Sequence, residues 1–282
     1  MKQGFVKVAS ATPRIRVADP VYNAQVICEQ AKEAAEHGAK IVVFPELCIT
    51  GYTCNDLFLQ ELLLEKAKEA LLTIAEETGQ LETLFLVGLP VDKDGRLYNV
   101  AAVLYRGRIL GMIPKKNIPM YAEFYEGRHF TPGEETVTEY RLGKQVIPFG
   151  SNLLFRCEEL PELILGCELC EDLWVAEPPS TSHALMGATV IANLSASNET
   201  VSKDDYRTLL IKASSARLLC GYIYTSAGEG ESTQDLVFGG HDLIAENGTL
   251  LVQSARFTTG ILYTDLDVLK ISSERRRMGT FG

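Results

Sequence analysis

Three short stretches hold side chains able to do covalent chemistry, and each follows an apolar run. Phe44-Pro45-Glu46-Leu47 places a carboxylate just past Ile41-Val42-Val43. A carboxylate at the end of a buried strand often points into a cleft, where it can serve as a general base. Ile113-Pro114-Lys115-Lys116 offers two lysines, one of which can turn inward if a carboxylate balances its charge. Gly166-Cys167-Glu168-Leu169-Cys170-Glu171-Asp172-Leu173-Trp174 follows Leu163 to Leu165 and holds the only tryptophan and a Cys-x-x-Cys spacing. Taken singly, each stretch also has a plain structural reading: a strand-end Glu meeting water, two solvated lysines, or a core cysteine.

The Cys-x-x-Cys spacing leaves three chemistries open. Zinc needs about four ligands, and here there is no second such pair and the four histidines are scattered. A thioredoxin-like redox pair should open a helix in a small βαβ unit. In the third reading one cysteine is a nucleophile; Cys167 keeps the phase of the preceding strand, whereas Cys170 lies beyond it in the turn. A thiol with a free pKa of about 8.5 needs a base, and acyl chemistry needs a donor for the oxyanion. His37 sits in a helical pattern, and His129, His183 and His241 lack a local motif. A Glu base with a Lys oxyanion partner meets the same needs, and Glu46, Lys115 and Cys170 would supply it. A cationic Lys115 beside Cys170 is expected to favour thiolate.

The elements that must position these groups follow from periodicity. Phe5 to Ala9 reads as a strand; Asp19-Pro20 opens a helix with apolar residues at three- and four-residue steps, stopped at Gly38. Ile41 to Phe44 and Leu84 to Leu89 read as buried strands and Asp56 to Ala75 as a second helix. Asn99 to Tyr105, Arg108 to Ile113, Asn152 to Arg156 and Leu163 to Cys167 are strand candidates, with turns at Asp94-Gly95 and Gly107. Ser180 to Met186 reads as a short helix and Thr189 to Leu194 as a strand. Asp204 to Leu219 reads as a third long helix, capped near Asp204 and stopped by Gly221. The tail is strand-rich: Tyr222 to Ser226, Leu236 to Phe238, His241 to Ala245, Thr249 to Gln253 and Gly260 to Tyr263. Glu274 to Arg277 reads as a solvated tail or linker. Early strand–helix alternation with a strand-rich tail predicts one layered α/β domain with parallel and antiparallel neighbours.

The chain has 282 residues, 46% hydrophobic and 23% charged, with a net charge of −10. That acidic balance argues against nucleic acid or an anionic membrane as main partner. No apolar stretch reaches the ~18–20 residues of a membrane span, and Met1 to Pro13, with Lys2 and Lys7 in an alternating pattern, does not read as a signal peptide. Seven cysteines, an odd number, predict free thiols in a reducing compartment, hence a cytoplasmic location.

The chain resembles the nitrilase, or carbon–nitrogen hydrolase, superfamily, whose Glu–Lys–Cys triad occurs here in the same order. Within it, four stretches resemble the glutaminase domain of glutamine-dependent NAD+ synthetases. They are Val43 to Leu47 with Gly51-Tyr52; Pro114-Lys115 with Tyr121-Ala122-Glu123-Phe124-Tyr125-Glu126; Leu169 to Trp174; and Gly230-Glu231-Ser232-Thr233-Gln234-Asp235-Leu236 with Gly240-His241. The resemblance runs from the first strand to about residue 277. It implies a four-layer α-β-β-α sandwich over 1–272, with 273–282 beginning a linker to a synthetase domain. It implies Cys170 as nucleophile, Glu46 as base, Lys115 with the backbone N–H after Cys170 as oxyanion donors, and Glu126 as supporting carboxylate. Tyr121, Ser197 and Lys203 fall where the family binds glutamine; Glu171, Trp174 and Tyr52 are further pocket candidates. The family commonly has Arg at the Lys203 position, and Lys loses the bidentate fork.

No Ser-Gly-Gly-type pyrophosphate loop occurs, and Gly228-Glu229-Gly230 lacks its context. The chain is therefore expected to be a glutaminase domain that releases ammonia from L-glutamine without making NAD+ itself. No metal or cofactor is expected in it; ATP and Mg2+ belong to the synthetase domain. The resemblance also implies a homo-oligomer, with ammonia passing to the synthetase domain. Competing readings are a free-standing amidase on another small amide, a non-catalytic module docking on a synthetase, and a zinc or redox domain using Cys167 and Cys170.

Overall fold

The computed structural model describes Met1 and residues 3–281; Lys2 and Gly282, the last residue of the expected linker, lie outside the described residues. β1 (Phe5–Thr12) alternates between two buried faces: Val6 and Val8 join one cluster, Ala9 and Ala11 another. Asp19 caps α1 (Pro20–Glu36) by accepting the Tyr22 N–H at 3.1 Å, with Pro20 in the first turn. β2 (Ile41–Val43) and α2 (Glu61–Glu77) follow. β3 (Leu84–Lys93), β4 (Arg96–Tyr105) and β5 (Arg108–Pro114) form a meander whose turns, Asp94-Gly95 and Arg106-Gly107, take positive φ throughout. β6 (Thr138–Leu142) and β7 (Gln145–Phe149) close this half as a hairpin.

The second half runs β8 (Leu154–Arg156), β9 (Ile164–Leu169), α3 (Pro179–Leu185), β10 (Val190–Ser195), α4 (Lys203–Arg217), β11 (Gly221–Ser226), β12 (Leu243–Glu246) and β13 (Thr249–Gln253). β14 (Gly260–Asp267) then returns to pair with β1, and α5 (Val268–Arg277) ends the fold. Two sheets result, ordered β14-β1-β2-β3-β4-β5-β7-β6 and β13-β12-β11-β10-β9-β8. Val8, Val43, Val103 and Ile113 of the first face Leu165, Cys167, Ala192 and Ile223 of the second across one core. The outer face of the first sheet buries Val42, Phe85 and Val87 against α1 and α2. That of the second buries Ile191, Tyr222 and Leu243 against α3 and α4. The layers are α-β-β-α, as the resemblance implies. β1–β3 and β9–β11 are parallel, so their C-terminal ends share one edge of the sandwich. There the core turns polar: Ser10 bonds Thr225 at 2.5 Å between their hydroxyls, and Thr12 donates to Asp242.

Several elements differ from expectation. Asp56 to Gln60 is not the start of α2. Tyr52–Leu59 forms a tighter helical segment broken at Asn55 (φ 49°), and the Glu231 carboxylate accepts the Tyr52 and Thr53 N–H groups at its start. Leu236 to Phe238 is a loop with one bridge, Asn198 to Phe238; Leu236 and Phe238 are apolar because they pack on Tyr52, Leu47 and Phe58. β12 begins at Leu243 rather than His241, since the Asp242 N–H bonds the Ser254 hydroxyl. The hairpin β6–β7 was not expected, as its apolar residues are diluted by charge on an edge. Asp204 does not cap α4. Ser202 holds that position at φ 63°, and Asp204 lies in the first turn, facing the helix dipole. Gly221 does not stop it either: Leu219 makes the left-handed turn and Gly221 opens β11, where a Cβ would meet Leu266.

The charged cluster at the end is part of a helix, with Arg276 and Arg277 exposed and Arg275 turned onto the fold. α5 carries the fold to Arg277, so the expected boundary at 272/273 falls inside a helix. The Arg275 guanidinium donates to Leu219 O at 2.9 Å, Ala188 O at 2.6 Å and Leu218 O at 2.9 Å. It thereby satisfies carbonyls left open at the ends of α3 and α4.

Candidate active site

Three strand ends and one turn bring the expected catalytic groups together. Glu46 follows β2, and the chain reverses at Leu47 (φ 51°). This reversal lies against Gly88 of β3, where a Cβ would overlap the Leu47 nitrogen, so only glycine lets β3 pass so close. Lys115 follows β5 and donates its N–H to Asn99 O of β4 at 2.8 Å. Cys170 follows β9 at φ 41°, between a strand and a short helical turn. A non-glycine residue held at positive φ at a strand-to-helix corner is strained and thrusts its side chain outward. Glu126 sits on the turn Glu126–Arg128, which Asp56 clamps through Arg128 at 2.7 Å and His129 at 2.9 Å.

Lys115 is wholly buried, as is Glu46. Its ammonium lies 2.6 Å from Glu46 Oε1 and 2.7 Å from Glu126 Oε1. Burial opposes the Lys115 charge, but Glu126 and Glu46 outweigh it and hold the ammonium well above the usual lysine range. Burial raises the Glu126 carboxyl. Asn99, which the sequence reading missed, donates to Glu46 Oε1 at 2.7 Å and to Glu126 Oε2 at 3.4 Å. The second Glu46 oxygen accepts the Ala196 N–H, just after β10, at 2.9 Å. Every donor on Glu46 therefore comes from a strand or a strand end.

Lys115 pulls the Cys170 thiol toward thiolate, as expected, but other effects oppose it. Burial raises the Cys170 pKa strongly, Glu46 raises it further, and the opposing pull of Lys115 does not compensate. Cys167 is core, its thiol likewise pushed well up by burial. All seven cysteines are free, and no cluster of three or more His, Cys, Asp or Glu able to hold a metal occurs among the described residues. Asp172, also missed, ties the corner down. It accepts Leu169 N–H at 3.0 Å and Asn117 N–H at 2.8 Å, joining the Cys170 turn to the segment after Lys115.

A cavity of about 450 Å³ opens beside Cys170, lined by Tyr121, Glu123, Glu171, Trp174, Ser197 and Lys203, among others. Five of the six expected pocket residues meet there. Tyr121, 54% exposed, donates its hydroxyl to Glu171 at 2.9 Å at the mouth. The Lys203 ammonium bonds Asn198 Oδ1 and stands 5.2 Å from the Trp174 ring centre and 5.6 Å from that of Phe124. Burial lowers its pKa. Tyr52 is the exception. It is buried, its hydroxyl donates to Glu126 Oε1 at 2.9 Å, and it does not line the Cys170 cavity. Arg207, on α4 one turn past Lys203, was also missed; it is fully buried and bonds Asn198 O at 3.2 Å and Glu199 at 2.8 Å. An arginine amid helix polar residues gives no sequence signal of burial.

The family described as carbon-nitrogen hydrolase matches residues 7–276. The glutamine-dependent NAD(+) synthetase of Mycobacterium tuberculosis is 43% identical over 99% of this chain, which spans 42% of that protein. A crystal structure of a glutamine-dependent NAD(+) synthetase from Cytophaga hutchinsonii superposes with a TM-score of 0.85 at 28% identity, over 99% of this chain and 46% of that one. An amidase from Nesterenkonia sp. shares the fold, with a TM-score of 0.73 at 21% identity over 98% of this chain and 97% of its own. The chain thus spans less than half the length of the synthetases it matches. No helix among the described residues is long and apolar enough to cross a membrane.

Proposed function

The chain belongs to the carbon–nitrogen hydrolase family, and we propose that within it the chain is the glutamine amidohydrolase part of a glutamine-dependent NAD+ synthetase. The observation that carries this reading is the buried Glu46–Lys115–Glu126 cluster beside Cys170, opening on a pocket with an ammonium and two carboxylates. An amino-acid amide carries both charges at its α-carbon; a simple aliphatic amide carries neither. This favours L-glutamine over the substrates of a general amidase.

In the proposed reaction Lys203 holds the α-carboxylate, and Ser197 and Tyr121 flank the side chain. Glu46 takes the Cys170 thiol proton as sulfur attacks the side-chain amide carbon. Negative charge moves to the amide oxygen, where Lys115 Nζ and the Glu171 N–H receive it. Glu46 returns the proton to the departing nitrogen, the C–N bond breaks, and ammonia leaves a thioester. Glu46 then takes a proton from water, the hydroxide attacks the thioester, and the C–S bond breaks as Glu46 gives that proton to the departing sulfur; the new carboxylic acid ionises to glutamate, leaving the Cys170 thiol and the Glu46 carboxylate restored. No step needs a cofactor from this chain. The ammonia would amidate a substrate in a synthetase domain, where ATP and Mg2+ are expected. The unpaired thiols fit a reducing cytoplasm, and the exposed apolar residues of α4, such as Leu209, fit a homo-oligomer.

The test is release of glutamate and ammonia from L-glutamine, with L-asparagine and butyramide as competitors of different length and charge. Stoichiometric release from L-glutamine, well above both, is expected. Equal or faster butyramide turnover would put the free-standing amidase reading in its place.

A further inference from the structure

One side chain bonds two of the pocket's charged groups. Asn198 is buried, in the loop between β10 and α4. Its Oδ1 accepts the Lys203 ammonium, and its Nδ2 donates to Glu123 Oε1 at 2.5 Å. The two residues that Asn198 bridges both line the Cys170 cavity. Lys203 has aromatic rings, not a carboxylate, as its other close neighbours. Glu123 is near enough to act on the Lys203 charge. The Asn198 backbone is fixed as well: its carbonyl accepts from buried Arg207 at 3.2 Å, and it bridges to Phe238.

We propose that Asn198 is a specificity-determining spacer, keeping Lys203 and Glu123 from pairing so that they meet the α-carboxylate and α-ammonium of an amino-acid substrate. The inference rests on the glutaminase reading and deepens it. An ammonium and a carboxylate sharing one amide would close into an ion pair if the amide were removed. A self-neutralised pair offers a zwitterion nothing beyond what each group already has. With the amide present, each charge keeps bonding capacity free toward the cavity, since an ammonium has three donors and a carboxylate about four acceptor sites.

The experiment is alkylation of Cys170 by iodoacetamide, a small neutral electrophile, followed by peptide mass analysis. Protection by L-glutamine and by glutaramic acid, which lacks the α-amino group, is compared in wild type, Asn198→Leu and Glu123→Gln. Each variant's rate without ligand is its own reference. L-glutamine should protect wild type, and Asn198→Leu should need on the order of tenfold more for half protection, as for losing a hydrogen bond to a charged group. Glu123→Gln should raise the requirement for L-glutamine and leave that for glutaramic acid unchanged. If Asn198→Leu does not fold, this Glu123→Gln contrast carries the test. Unchanged half protection by L-glutamine in a folded Asn198→Leu, or equal shifts for both ligands in Glu123→Gln, would overturn the spacer role while leaving the glutaminase reading intact. Failure of L-glutamine to protect even wild type would overturn the glutaminase reading and the spacer with it.

Discussion

The two halves of the site are built differently. The proposed reactive half is buried: Glu46 and Lys115 follow strands of the first sheet, Asn99 lies within one, and Glu126 and Tyr52 sit on short helical turns bonded to them. The recognition half, Tyr121, Glu123, Glu171, Trp174 and Lys203, is partly exposed and carried on loops and helix ends. Proton transfer and oxyanion stabilisation need groups fixed to within fractions of an ångström, so they belong on a rigid frame. Recognition of a flexible amino acid tolerates, and product release favours, groups that can move.

That contrast predicts different failures. Lys115→Met should lose on the order of 10²–10³ in kcat, as for removal of an oxyanion donor. It should also lose about 3–5 kcal/mol of stability in urea titrations, because Glu46 and Glu126 are left buried without their cation. A variant that keeps wild-type stability would show that the reactive half is not structurally coupled. Lys203→Met should raise KM for L-glutamine roughly 10–100-fold with kcat within a few-fold, since the loss is in substrate binding. A fall in kcat with KM unchanged would move Lys203 into the reactive half.

The same lysine gives a pH signature. Burial favours its neutral form, so the cation is present at low pH and lost below the usual lysine range as pH rises. KM should therefore climb on the alkaline side earlier than for a solvent-exposed lysine, and Lys203→Arg should abolish that climb, the guanidinium staying charged. An identical alkaline limb in Lys203→Arg would assign the titration to another group. The smallest effect is expected for Tyr52→Phe, which removes one donor to Glu126 while Lys115 and Asn99 remain. Its kcat should fall by no more than about tenfold at constant KM, the range for one hydrogen bond.

The same division governs what could be read from the sequence. Glu46, Lys115 and Cys170 each follow an apolar run, and that position is written in local order. The Asp19-Pro20 helix start and the Asp94-Gly95 turn are legible for the same reason: their cause lies within a few residues. Asn99 was not legible. It sits inside an apolar strand, and its role comes from two carboxylates 53 and 27 residues away along the chain. Arg207 drew no reading and Arg275 read as part of a solvated cluster, because the carbonyls that hold them come from elsewhere in the chain. The Asp56 to Gln60 stretch was expected to open the second helix, yet Leu57 and Leu59 are exposed and the helix starts only at Glu61. Tyr52 was a pocket candidate with the resemblance, but its hydroxyl is turned onto Glu126, 74 residues away along the chain.

The central claim is that Cys170 is the nucleophile for the L-glutamine side-chain amide. Its most direct test is intact-mass analysis after treatment with a diazoketone analogue of L-glutamine, on wild type and Cys170→Ala, with and without excess L-glutamine. The account predicts a single adduct on wild type, suppressed by L-glutamine and absent from Cys170→Ala. An adduct that persists in Cys170→Ala, or one that L-glutamine does not suppress, would contradict it.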